Sequence, residues 1–118
     1  MNFIYSFDVL IMEIEFNNQE LEDLYEGKKV KNKIFKSNPQ LVSQFIKVVG
    51  KLYSAPQIED LYQITSLNYE ALSGDRKGQS SVRINEKYRL IFVEIREEKE
   101  PFGVKIILIE EITNHYSA

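Results

Sequence analysis

Apolar and polar positions alternate with period two from Met12 to Asn17, with Met12, Ile14 and Phe16 against Glu13, Glu15 and Asn17, the pattern of a strand with one buried face. Upstream, the apolar positions Phe3, Tyr5, Phe7, Val9 and Ile11 are odd-numbered, so the phase flips at Met12, and such a flip exchanges the two faces of a strand. Either a bulge absorbs it, or residues 1–11 form an extension ahead of a natural start at Met12. The period then changes. Leu21, Leu24 and Tyr25 follow Asn17 and Asn18 at helical spacing, and Gly27 suits the left-handed position after a helix end. Asn38-Pro39 opens a second helix, in which Leu41, Val42, Phe45, Ile46, Val49, Leu52 and Tyr53 continue at i, i+3, i+4 and i+7 to about Ser54. The two helices are expected to form a hairpin. Ala55-Pro56 breaks the run, and Ile58, Leu61 and Tyr62 support one short helical turn.

Beyond it the chain reads as a sheet. Gly74-Asp75-Arg76-Lys77-Gly78 is a turn, and Gln79 to Ile84 is a strand with Val82 and Ile84 on one face and Ser81 and Arg83 on the other. Asn85-Glu86-Lys87 is a hairpin loop, Tyr88 to Ile95 a strand near the middle of the sheet, Arg96 to Gly103 an exposed turn, and Val104 to Ile112 a second central strand. One strand, two helices and three antiparallel strands predict an α+β fold, a small antiparallel sheet packed against an N-terminal helical hairpin. Its length of 118 residues, 43% of them hydrophobic, predicts a single domain over 1–118.

The absence of cysteine excludes disulfides, thiolate nucleophiles, iron–sulfur clusters and cysteine zinc sites, and fits a reducing cytoplasm. No apolar run approaches the roughly 20 residues of a membrane span, and the N-terminus lacks a basic start and a small-residue cleavage site. The expectation is a cytoplasmic chain with no membrane partner. Fifteen Lys and Arg against 18 Asp and Glu give a net charge of -3, which argues against a generic nucleic-acid binder. The charges are segregated, however. Glu13, Glu15, Glu20, Glu22, Asp23 and Glu26 crowd the start and Glu97, Glu98 and Glu100 the end, with basic stretches over Lys28–Lys36 and over Arg76, Lys77, Arg83, Lys87 and Arg89 between them. Local field rather than net charge decides what an anion meets.

A loop over Asn85–Lys87 sets Ile84 opposite Tyr88, Arg83 opposite Arg89 and Val82 opposite Leu90. Like charges so placed destabilise a sheet by up to about 1 kcal/mol. A bound anion would relieve the repulsion, and so would splaying into water or pairing with Glu70 or Glu86.

These residues also carry a resemblance. Leu72-Ser73-Gly74-Asp75-Arg76-Lys77-Gly78, followed by Ser81-Val82-Arg83-Ile84-Asn85 and Tyr88-Arg89, resembles the signature of HigB-type toxins, in which Leu-x-Gly-Asp-Arg-x-Gly precedes Ser-(Ile/Val)-Arg-(Ile/Leu)-Asn and an aromatic-Arg pair. Weaker similarity runs from the strand at Met12 to His115, leaving out residues 1–11. HigB-type proteins belong to the RelE superfamily of toxin–antitoxin toxins. The resemblance implies a RelE-like α+β fold, ribosome-dependent cleavage of mRNA in the A site with no metal or other cofactor, and a HigA-like helix-turn-helix antitoxin as protein partner.

The implied chemistry is attack of a ribose 2'-OH on its own 3'-phosphate, which needs a base, an acid and positive charge for the phosphorane between them. Arg83 and Arg89, protonated at any usable pH and fork-shaped, suit the charge role. His115 is the only side chain with an unperturbed pKa near neutrality. Relatives often close this strand with Asp-Tyr-His, whereas here Asn114 stands for the acid and His115 precedes Tyr116; which of His115 and Tyr116 is base and which is acid stays open. Arg76, Lys77 and Lys87 are expected to hold the RNA backbone. A reading from another class is a ParE-like toxin that inhibits DNA gyrase by protein contact, for which His115 and Tyr116 are dispensable. A third is a catalytically inactive antitoxin-binding module.

Overall fold

Strand β1 (Glu13–Phe16) and helix α1 (Gln19–Tyr25) meet at two asparagines. Asn18 caps the helix, its side-chain oxygen accepting from the Leu21 N–H at 3.2 Å, and Gly27 follows the helix end at φ +83°. The computed structural model describes residues 12–99 and 103–115. The upstream alternation at residues 1–11, the tip of the Arg96–Gly103 turn and Tyr116 lie outside the described residues.

Helix α2 (Lys33–Lys36) follows the lysine stretch, capped by Asn32, and buries Phe35. Helix α3 (Pro39–Ser54) begins as its Asn-Pro start predicts, the Asn38 side chain accepting from the Leu41 N–H at 3.3 Å. Its buried stripe is Leu41, Phe45, Val48, Val49 and Leu52, of which four are fully inaccessible, each such side chain stabilising the fold by about 1.5–3 kcal/mol. Helix α1 packs on α3 as the expected hairpin, with α2 between them in sequence and also against α3. Ala55-Pro56 then turns the chain, and Glu59–Tyr62 forms the short α4.

The sheet comprises β1, β2 (Glu70–Ala71), β3 (Ser80–Arg83), β4 (Arg89–Arg96) and β5 (Val104–Thr113), in spatial order β1-β5-β4-β3-β2. The α+β expectation holds, but the sheet is mixed rather than antiparallel. Strand β1 lies parallel to β5, Glu13 opposite Ile106 and Phe16 opposite Ile109, while the other pairings are antiparallel. Alternation predicts a strand without naming its neighbour, and the return through the helices delivers β1 to the free edge of β5. The β3–β4 hairpin has the predicted register, Val82 opposite Leu90 and Arg83 opposite Arg89. One face of the sheet, with Val82, Ile84, Leu90, Phe92, Ile107 and Ile109, joins the helices in one apolar cluster.

Strand β5 carries a bulge. Ile109 stands opposite Phe92 and Glu111 opposite Ile91, so Glu110 is the extra residue. The bulge returns Ile112 to the core side and turns Glu111 and Thr113 to the second face. It is held from the junction of β1 and α1: the Asn18 amide donates to the Glu110 carbonyl at 3.3 Å, and the Asn17 amide to the Glu110 carboxylate at 3.2 Å.

A polar cluster closes the core's edge. The Tyr69 hydroxyl donates to the Glu94 carboxylate, which also accepts from Ser80 at 2.9 Å. Burial, and next the Glu94 hydrogen bond, hold the Tyr69 hydroxyl well above its ordinary value of 10.0. No buried side-chain polar atom among the described residues lacks a partner.

Asn18→Asp keeps the helix cap and removes the donor to the bulge, so we expect a loss of about 1–2 kcal/mol in urea unfolding; a variant as stable as wild type would show that the bulge anchor carries no weight. The raised Tyr69 pKa also sets a pH dependence. The unfolded chain releases this proton from about pH 10 upward while the fold retains it, so the stability contribution is complete below pH 10 and is lost above it. Tyr69→Phe should flatten the fall of stability in that window, and equal slopes for the two proteins would remove Tyr69 as its source.

Candidate functional site

Two glycines shape the turn that leads to β3. Gly74 at φ +63° and Gly78 at φ +95° adopt the left-handed region, and Gly74–Arg76 between them makes one turn of 3-10 helix. This places Arg76 beside the end of β5. Its Nη2 donates to Glu111 at 2.7 Å and to the His115 carbonyl at 3.1 Å, and its Nη1 to the Gln79 side chain at 3.1 Å. Asp75, Arg76, Gln79, Glu110, Glu111, Asn114 and His115 line an open cleft of about 820 Å³. Beyond β5 the chain bends back through Thr113, whose hydroxyl accepts from the His115 N–H at 2.9 Å.

The cleft thus brings together Arg76 and His115 of the expected residues. Arg83 and Arg89 stand on the same face of the sheet as Glu111 and Thr113 but do not line the cleft. Directly opposite in register, their guanidiniums diverge. Arg83, 41% exposed, donates to the Asn85 carbonyl at 3.4 Å and to Glu86 at 3.2 Å. Arg89 is 3% exposed and turns inward, Nε donating to Ser81 Oγ at 2.7 Å and Nη2 to the Asn68 and Ser81 carbonyls, with Glu70 at 3.3 Å. Of the ways to relieve the repulsion, pairing with Glu86 and Glu70 is the one adopted. Arg89, expected as a phosphate-facing charge, is therefore enclosed in the sheet, because its neighbours Ser81, Asn68 and Glu70 offer acceptors there.

Lys77 and Lys87 are exposed, the latter with its ammonium 5.7 Å from the Tyr88 ring. Tyr88 packs inward against the core. Glu110, Glu111, Gln79 and Asp75 were not expected in the site. The signal for the first two is the acidic pair Glu110-Glu111 inside an apolar strand, where strict alternation fails.

A sheet backed by helices on one face and carrying this cleft at the end of its last strand is the RelE-like toxin fold. The chain aligns with YafQ of E. coli at a TM-score of 0.54 and 13% identity, covering 86% of this chain and 90% of that one. With the YoeB/ParE toxin of Agrobacterium tumefaciens the TM-score is 0.50 at 16% identity, covering 89% and 100%. Residues 14–99 match the family described as the RelE-like toxin of type II toxin-antitoxin system HigB. Over 82 residues the chain is 34% identical to Toxin HigB-1 of Vibrio cholerae serotype O1, covering 69% of this chain and 82% of that toxin. The protein belongs to the HigB-like family of toxins of type II toxin–antitoxin systems.

Arg89→Met would leave Ser81, Asn68 and Glu70 without the guanidinium they surround. We expect a loss of about 3 kcal/mol in urea unfolding, with Arg89→Lys, which keeps the charge but not the fork, in between. A methionine variant of wild-type stability would show that this buried cluster does not hold the sheet together.

Proposed function

We propose that this toxin is a metal-independent endoribonuclease that cleaves translated mRNA in the ribosomal A site, and that a HigA-like helix-turn-helix antitoxin neutralises it. The observation that carries the reading is the cleft itself: His115 stands in it beside an arginine, at the end of the sheet face that bears Arg83. In-line attack of a 2'-oxygen on the adjacent phosphorus breaks the bond to the 5'-oxygen and leaves a cyclic phosphate. One group takes the 2'-proton, another gives a proton to the leaving oxygen, and cations stabilise the phosphorane.

His115, exposed in the cleft, serves one of the two transfers, and Tyr116, its neighbour in sequence, serves the other or stacks on a base. Arg83 supplies the charge. Its pair with the 94% exposed Glu86 is of the surface kind, worth about 0–1 kcal/mol, so a phosphate displaces that carboxylate readily. Arg89 holds the sheet on which Arg83 stands. Arg76 adds positive charge within the cleft, and the exposed Lys77 and Lys87 contact the RNA backbone without reading sequence. The substrate places this activity in the cytoplasm.

The test is primer extension on mRNA from cells induced for the wild type, Arg83→Ala and His115→Ala. Codon-phased cuts that require translation are expected for the wild type, falling about a hundredfold or more in the His115 variant, the usual weight of a proton-transfer group. Arrested growth with intact mRNA would overturn the reading in favour of a protein target.

A further inference from the structure

The guanidinium of Arg76 joins three parts of the chain that sequence separates. It reaches Gln79 in its own turn, Glu111 on β5 and the backbone of His115 beyond β5. His115 lies past the last paired residue of that strand, since Thr113 opposite Arg89 ends the ladder. Among the described residues, its backbone is held by two side chains, Thr113 and Arg76. Thr113 is a local contact, two residues away, and by itself fixes only the bend. Arg76 is the long-range contact that fixes where the bend sits.

The donor is anchored as well. Glu111 accepts from Arg76 at 2.7 Å, a charge-assisted length, and reaches that position only because the bulge at Glu110 turns it to the second face. At 23% exposed, Arg76 is also less accessible than Arg83, and three of its five N–H groups already face protein acceptors. This is the arrangement of a brace rather than of a phosphate contact.

We propose that Arg76 is a positioning residue, a clamp anchored on Glu111 that sets His115 in the cleft. The proposal rests on the assignment of His115 to proton transfer for its catalytic consequence, though not for the clamp itself. A guanidinium suits the task because its fork presents Nη1 and Nη2 to Gln79 and Glu111 in one plane, with Nη2 also serving the His115 carbonyl. The ammonium of lysine keeps the charge without that planar spread.

The clamp is read directly in the purified full-length protein by 15N relaxation at the His115 amide. In the wild type an order parameter near 0.85, as in β5, is expected; in Arg76→Lys and Arg76→Gln it should fall below about 0.6, with core amide shifts unchanged. Glu111→Gln, which keeps the acceptor and removes the charge, should give an intermediate value and tests the same clamp without altering the turn. His115 staying ordered in both Arg76 variants would overturn the proposal.

Ribosome-dependent cleavage supplies the second readout. Misplacing His115 should lower kcat by about a hundredfold in Arg76→Lys with KM nearly unchanged. A raised KM with unchanged kcat would instead make Arg76 an RNA contact, and full activity in the lysine variant would reduce its role to charge alone; either overturns the catalytic consequence of the clamp, while the order parameter decides the clamp itself. A wild type that cleaves no RNA, with His115 losing its order in the Arg76 variants, would refute the nuclease assignment while upholding the clamp.

Discussion

The extra residue in β5 lets one strand serve two faces. Continued without interruption, the alternation that sends Ile107 and Ile109 into the core would send Glu111 and Thr113 after them and leave Ile112 on the second face. An unpaired carboxylate in an apolar core costs several kcal/mol or shifts its pKa until neutral. The bulge at Glu110 avoids both outcomes by restoring Ile112 to the core side and presenting Glu111 and Thr113 where the Arg76 turn meets them. Its anchor is economical in residues. Through its two amide ends, Asn18 starts α1 and holds the Glu110 carbonyl, so the first helix and the last strand share one contact point.

Helices cover the core face of the sheet; the second face holds Arg89, buried where β4 begins. Ile91 and Leu72 are buried yet stand outside the main core cluster, and the guanidinium lies among polar groups that need a donor. Asn68 contributes by its backbone, in the left-handed conformation at φ +43°, which asparagine tolerates better than most residues. With Ser81 on β3 and Glu70 on β2, the arginine ties the two-residue edge strand to the sheet. So short a strand has little hydrogen bonding of its own to keep it in place. A residue that the sequence marks as half of a charged pair thus becomes, in three dimensions, the means of closing a sheet edge.

The parts legible in the sequence are those specified by local chemistry. The Asn-Pro start and the apolar stripe of α3, the asparagine cap and terminal glycine of α1, and the Asn85–Lys87 loop with its register each follow from residues close together in the chain. What escaped is either too short to show a period or set by partners far away. Helix α2 has four residues and β2 has two, below the length at which alternation or helical spacing is distinguishable. The parallel pairing of β1 with β5 depends on the route through the helices. In the cleft, His115 and Arg76 were recognisable by type, but Glu111 joins them only because a bulge reverses the strand's phase, and an acidic pair in an apolar run was its only trace.

Net charge is equally a poor guide to this molecule, since pairing decides which cations remain available. In the first basic stretch Lys28 lies 3.0 Å from Glu26 and 3.9 Å from Asp23, within the acidic segment of α1. In the second, the two arginines nearest the proposed chemistry are paired in unlike ways. Glu86 is almost wholly exposed, so its hold on Arg83 is weakened by water and salt and yields to a better anion. Glu111 is less exposed, at 42%, and meets Arg76 at 2.7 Å while Gln79 and the His115 carbonyl occupy the same fork. Exchange at Arg76 would have to break three contacts at once, whereas exchange at Arg83 breaks one solvated pair and a long hydrogen bond. The same residue type, seven positions apart on one turn and strand, is thereby divided into a fixed brace and an exchangeable charge.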